Sequence, residues 1–401
     1  MRLLLQIGVT IAVARAFSVL LRRAGQPAVI GEIVGGIALG PTLFGWLFPT
    51  AFHALFRPDS MQPFLWLAEA GVAVFMFVVG LDLELPSLRT RRRTAIIISQ
   101  ASIAVPLLLG TLLAVCLFDH FAPAGTRFPP FALFIGVAMS ITAFPVLARI
   151  LAERGMSGTP VGTLALTCAA VDDLTAWCLL ALVTAIARAE QWTAAAKETA
   201  LIALFTVLML AVVRPLLRRV STPAVFLLVG IASAAVTHQI GMHVIFGAFL
   251  AGACVPREAA AHARLRSALG SVQYLLLPLF FAATGIRSEI TLLFDAGTLL
   301  MCIGVIVVAT VGKLAGSSIA ARLTGSSWHD ALVLGTLMNS RGLMELVVLN
   351  VGYDLGIISP QLFAAMVVMA LVTTIATGPL LSQIETLRWL GNGDERSLQP
   401  R

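Results

Sequence analysis

Two adjacent carboxylates, Asp172 and Asp173, stand inside an apolar run from Pro160 to Ala187. A carboxylate at mid-bilayer depth costs roughly 2.5–3.5 kcal/mol on insertion scales, and bulk packing gives no reason to carry two of them. Apolar residues continue for more than two turns on both sides, which sits poorly with a helix end in the headgroup region. Neighbouring helical residues project about 100° apart, so the pair cannot serve one partner face. One acid is free to look into a cavity while a cation holds the other. That division of labour suits a site that exchanges ions.

Other polar groups recur at similar depth. In Gly136-Val-Ala-Met-Ser-Ile-Thr-Ala-Phe-Pro-Val-Leu-Ala-Arg149, Pro145 lacks an amide proton, so the carbonyl of Ile141 loses its helical partner. Ser140 and Thr142 place hydroxyl oxygens beside that break. Irregular backbone in a membrane is tolerated where protein or a water-filled cavity covers it, so the segment reads as a broken helix lining an ion site. Lys313 lies two to three turns from either end of a long apolar segment, too far to reach the surface, and calls for a buried acid. A further polar stretch, Asn339-Ser-Arg-Gly-Leu-Met-Glu345, puts Arg341 and Glu345 four residues apart on one helix face, with Gly342 marking a second interruption.

The elements that position these groups follow from composition. The chain has 401 residues, 59% of them hydrophobic and 12% charged, with mean hydropathy +0.95. A soluble domain carries about 25% charged residues, so the fold class is an all-α polytopic membrane protein. Apolar windows give about thirteen transmembrane helices, near 3–21, 28–45, 62–82, 94–118, 130–150, 160–187, 195–217, 222–238, 242–255, 272–286, 297–323, 330–352 and 360–384. The first of these reads as a span rather than a signal peptide, because Arg22 and Arg23 follow it and only Arg2 precedes it. In Pro27-to-Pro41, Gly31, Gly35 and Gly36 are spaced for close helix approach, and Glu32 is expected at the interface. If spans alternate, Arg22, Arg23, Arg89, Arg91, Arg92, Arg93, Arg149, Arg154, Arg214, Arg218 and Arg219 share one side. The net charge of +7 is therefore a topology signal rather than a nucleic-acid footprint, and it puts the N-terminus outside and the C-terminus in the cytoplasm. The five Cys sit in apolar spans without paired spacing, as packing residues.

With span seven (191–220) as a linker, spans one to six and eight to thirteen form two halves of opposite orientation, and spans five and twelve correspond. Inverted six-helix repeats with a site at their interface are the expected architecture, inferred from topology alone. The matched pair Tyr353-Asp354 and Gly391-Asn-Gly-Asp394 does not make an intramembrane protease, since one lies at a span end and the other in a polar tail. No nucleophile–base pair, metal cluster or phosphate loop is present, so neither an enzyme nor a cofactor is expected.

The motifs are familiar together. Pro27-Ala-Val-Ile-Gly-Glu-Ile through Leu39-Gly-Pro41, Ser140-to-Leu151, Val171-Asp-Asp-Leu-Thr-Ala-Trp177, Gly312-Lys313 and Asn339-to-Asn350 occur in family order over almost the whole chain. The sequence resembles the second family of monovalent cation:proton antiporters, with its plant cation/proton exchangers and bacterial sodium/potassium–proton members. That resemblance implies the Na+/H+ antiporter fold with crossed broken helices, a homodimer and an elevator motion. It also implies a partition: scaffold at 1–93 and 221–290, core at 94–190 and 291–385, and a cytoplasmic tail at 386–401. Carried over, Asp173 matches the ion- and proton-binding carboxylate that would hold a transported Na+ or K+. Asp172 matches the acid that pairs with the span-eleven lysine, Lys313, and Thr142 matches the polar position at the broken-helix crossing. The expected function is antiport of Na+ or K+ against protons in the inner (cytoplasmic) membrane, with membrane lipid around it. The rival is a proton-coupled exporter of a small organic solute on the same fold.

Overall fold

The computed structural model describes every residue except 1, 83–91, 157, 189–191, 221, 241–243, 257–259 and 398–401. Arg89 and Arg91, two of the basic residues expected to share one side, lie outside the described residues. Helices run as α1 (Arg2–Arg23), α2 (Ala28–Leu39), α3 (Pro49–Leu55), α4 (Pro58–Asp82), α5 (Arg92–Phe121), α6 (Phe128–Ser140), α7 (Phe144–Glu153), α8 (Pro160–Arg188) and α9 (Trp192–Leu208). They continue as α10 (Arg214–Leu217), α11 (Pro223–Gln239), α12 (Val244–Cys254), α13 (Ala260–Arg287), α14 (Ala296–Leu323), α15 (Trp328–Met338), α16 (Leu343–Asp354) and α17 (Pro360–Ser397).

Among the described residues eight helices are long and apolar enough to cross a membrane. They cover Leu3–Arg23, Ala28–Gly45, Asp59–Leu81, Arg93–Phe121, Pro160–Ala187, His262–Arg287, Ala296–Leu323 and Pro360–Ile384. The protein is thus an integral, multi-pass membrane protein. The remaining expected spans fall on shorter pieces. Span five is divided into α6 and α7 by Ile141–Ala143, and span twelve into α15 and α16 by Asn339–Gly342. Helix continues past the apolar part of α17 to Ser397, so the polar segment expected as a cytoplasmic tail from 386 is helical up to that residue.

The chain divides into two compact units, Met1–Leu85 with Leu180–Thr291, and Pro86–Leu179 with Leu292–Arg401. The first unit is assembled by backbone-to-backbone contacts that only glycine permits. A Cβ on Gly36 would collide with the carbonyl oxygen of Ala282, and one on Gly285 with that of Ile33, so α2 and α13 cross with no side chain between them. Gly31 and Gly35 face the opposite neighbour, against Ser18 and Ala14 of α1. Glu32 does not sit at an interface with water: it is 6% exposed, carried inward by the helix turn that those glycines press against α1.

The second unit holds α5, α6, α7, the first part of α8 and α14 to α17. Asp295 caps α14 by accepting from the amides of Gly297 (3.0 Å) and Thr298 (3.2 Å), and Ser327 caps α15 by accepting from Asp330 (3.0 Å). Gly312 and Gly316 let α14 lie against Pro106 and Ala101 of α5. Ala143, Val146, Leu147, Cys168, Ala169, Leu334, Leu337 and Met338 form part of one buried apolar cluster. That cluster fixes the two interrupted helices and α8 side by side. Of the five cysteines, none is in a disulfide; Cys168, Cys254 and Cys302 are buried and Cys116 and Cys178 exposed.

Candidate functional site

The two interruptions meet inside the second unit. Pro145 is the second residue of α7, and the unwound residues Ile141–Ala143 lie just upstream of it. This placement follows from its chemistry, since a proline in the first turn of a helix loses no intrahelical bond while it cannot extend the helix backwards through Ile141. Gly342 precedes α16 in an extended conformation, and a Cβ there would press on Val146 Cγ2 at 2.5 Å. The backbone of one break bonds the other: Ala143 donates its amide proton to the carbonyl of Ser340 at 3.2 Å.

Four helix termini therefore converge in low dielectric, and charged side chains satisfy them selectively. The last carbonyls of α6 are taken by two cations. Arg341 donates to Ala138 O (3.2 Å) and Met139 O (2.6 Å), and Lys313 donates to Ser140 O (2.5 Å). Cations at a helix C-terminus oppose the macrodipole's negative end. At the opposite sign, the N-terminal amide of α7, Phe144 N–H, is accepted by Asp173. Arg341 is also paired with Glu345 at 3.3 Å, both fully buried, and its own backbone is fixed by Thr374, which accepts from its amide (3.0 Å) and donates to its carbonyl (2.7 Å).

The adjacent acids have unlike surroundings. Asp172 is enclosed by donors: Ser99 Oγ on Oδ1 (2.5 Å), and Ser102 Oγ (2.7 Å), Thr142 Oγ1 (2.9 Å) and Lys313 Nζ (3.0 Å) on Oδ2. Lys313 reaches as well to Ser102 O at 3.0 Å. A buried ion pair with its remaining lone pairs satisfied in this way can persist as ions without water. Asp173 is also buried, yet its Oδ1 has no hydrogen-bond partner among the described residues. A buried carboxylate oxygen with nothing to accept from is costly unless a proton or a cation visits it.

Of the residues singled out in the sequence, Asp172, Thr142, Lys313 and the carbonyl of Ser140 form one hydrogen-bonded cluster, and Arg341 with Glu345 a second one against the same end of α6. The hydroxyl of Ser140 is turned away from Asp172 and donates to Val137 O at 2.8 Å. Sequence reasoning passed over Ser99, Ser102 and Thr374. Their signal was faint: serines three apart in an apolar span read as ordinary small residues, and only the finding that Asp172 needs neutral donors besides Lys313 gives them meaning.

The chain matches the family profile described as sodium/hydrogen exchanger, transmembrane, over residues 8–385. It is 42% identical over 398 residues to the Na(+)/H(+) antiporter NhaS4 of Synechocystis sp., covering 95% of this chain and 97% of that one. It is 38% identical to cation/H(+) antiporter 17 of Arabidopsis thaliana over 94% of this chain, and 34% identical to K(+)/H(+) antiporter 1 of Saccharomyces cerevisiae over 88% of it. This chain spans 48% of that plant relative and 43% of the yeast one. Among solved structures, the sodium proton antiporter MjNhaP1 of Methanocaldococcus jannaschii superposes with TM-score 0.67 and 14% identity, with 98% of both chains covered, a likeness of fold.

Proposed function

Because the chain belongs to the sodium/hydrogen exchanger transmembrane family, a family of transporters rather than enzymes, we propose that it exchanges Na+ or K+ for protons, with both ions competing for Asp173. The observation that carries this reading is the inequality of the two carboxylates. Asp172 is committed to four donors, whereas Asp173 keeps a buried oxygen free for an ion.

The chemistry follows from that free oxygen. An ionised Asp173 attracts a dehydrated monovalent cation, helped by neutral oxygens of the unwound segments. A proton arriving on Asp173 removes the charge and releases the cation. If only the loaded states interconvert between inward- and outward-facing forms, the two fluxes are coupled. Asp172 and Lys313 act as the fixed counter-pair that keeps the crossing charge-balanced, and Arg341 with Glu345 holds the second break in shape.

The reading extends to architecture. The second unit, which carries the crossing, is the transporting core, and the first is the scaffold and homodimer-forming part, with 191–220 as linker. The two interrupted helices support thirteen spans arranged as inverted repeats. The basic residues support an inner-membrane orientation with the N-terminus outside and the C-terminus in the cytoplasm.

The deciding experiment uses purified protein in proteoliposomes with an imposed pH gradient and a pH-sensitive dye. Addition of Na+, Li+, K+, Rb+ or choline should collapse the gradient for one or two alkali cations only. Asp173→Asn should abolish the response. A gradient indifferent to every alkali cation would move the assignment to a proton-coupled exporter of an organic solute, with Asp173 as its proton carrier alone.

A further inference from the structure

We propose that the side-chain oxygen of Asn339 is a ligand of the transported cation, which docks at the C-terminal end of α15 between Asn339 and the free oxygen of Asp173. The inference rests on the reading of Asp173 as the exchanging carboxylate and adds a second oxygen donor at the crossing.

The first ground is an asymmetry between the two interrupted helices. Both α6 and α15 end in mid-molecule with their terminal carbonyls directed into the crossing. The carbonyls of α6 receive Arg341 and Lys313. Among the described residues no Lys or Arg donates to the end of α15. Its carbonyls accept from neutral groups, the amide of Asn339 on Gly335 O (3.1 Å) and the amide (3.1 Å) and hydroxyl (2.8 Å) of Ser340 on Leu337 O, while Thr142 Oγ1, whose one proton serves Asp172, lies 3.1 Å from Met338 O. Two helix C-termini at similar depth carry the same negative end of a macrodipole. Among the described residues one has fixed cations and the other accepts from neutral groups.

The second ground is Asn339 itself. Its side chain is 1% exposed, and neither Oδ1 nor Nδ2 has a hydrogen-bond partner among the described residues. Helix capping does not account for it. The cap bonds run through its backbone amide, and its backbone is right-handed helical (φ −79°, ψ −3°) rather than left-handed. An amide buried at a helix end without partners is expensive for folding, and it is retained where a mobile ligand completes it.

The third ground is proximity. Residues 142–144 lie on one side within 3.2 Å of Met338 O and Ser340 O, carbonyls of the two neighbours of Asn339, and on the other bond to Asp172 and Asp173. Three consecutive residues span at most about 7 Å between first and last Cα. Asn339 and Asp173 are thus both held against one short stretch of backbone. A carboxylate, an amide oxygen and a helix-terminal carbonyl are hard oxygen donors of the type that replace the hydration shell of an alkali cation.

The test measures apparent KM and maximal rate for each transported cation in proteoliposomes, with the melting temperature of the full chain in detergent, with and without that cation. Asn339→Leu removes two unpaired polar groups, so the cation-free melting temperature should hold or rise. Apparent KM should rise about tenfold or more and the cation-induced gain in melting temperature should shrink. Should Leu not be accommodated, Asn339→Ala reports the same quantities with less volume. An unchanged apparent KM and cation ranking would overturn the proposal, as would a fall in cation-free melting temperature with rate and KM altered alike for all cations. Asp173→Asn is measured in parallel. Persisting exchange there removes the carboxylate reading and this inference with it, whereas lost exchange there beside an unaltered KM in Asn339→Leu removes this inference alone.

Discussion

Asp172 and Asp173 show how one residue type takes two roles through surroundings alone. Removing Lys313 would leave Asp172 as an unpaired buried charge, a loss of about 3–5 kcal/mol when one partner of a buried pair is deleted. Lys313→Ala should therefore lower the melting temperature well below that of Asp173→Asn, a comparison that differential scanning fluorimetry makes directly. An equal effect of both would contradict the division of roles. Ser99→Ala removes a charge-assisted hydrogen bond worth about 1.5–3 kcal/mol, and should weaken stability while exchange persists, measured as melting temperature and as dye response. The carboxylate pair and Lys313 were visible in the sequence because charges are rare in apolar spans. The serines were invisible because a hydroxyl carries little penalty there, and its partner comes from a helix some seventy residues away.

At the scale of elements, the breaks are held open by side chains that replace missing helical bonds. Arg341 is the clearest instance, since its guanidinium spans two carbonyls and a carboxylate at once. Arg341→Lys keeps the charge but has one nitrogen to offer, so it should rescue only part of the stability lost in Arg341→Ala. Equal melting temperatures for the Lys and Ala variants would show that charge without the fork contributes nothing there. Close helix crossings form a second class. Gly252→Val places a side chain against the carbonyl of Phe77, and overpacking of this kind costs about 1–3 kcal/mol, readable as a fall in melting temperature. The positions of the helices were legible from apolar runs, and the glycine runs marked tight crossings. What the sequence misplaced was Glu32, read as interfacial because charge alone says nothing about which neighbour presses a helix inward.

At the scale of the whole molecule, competition for one carboxylate has a kinetic signature. Where the cation exceeds its own dissociation constant, each further tenfold rise in cation should move the half-maximal point of the pH profile to lower pH by about one unit. Proteoliposome rates at several cation concentrations check this, and a profile that does not move with cation would mean separate sites for the two ions.

The bond between Asp172 and Lys313 joins residues 141 apart, and that distance has a consequence for biogenesis. At about 5–20 residues per second of synthesis, Lys313 leaves the ribosome roughly 7–28 s after Asp172. For that interval α8 must reside in the bilayer without its counter-ion. Ser99 and Ser102 are already made, so the hydroxyls that look like ornaments of the finished cluster are the first partners the carboxylate meets. A nascent chain that ends before α14 leaves that acid without its cation, and the ion pair closes only once synthesis has passed Lys313.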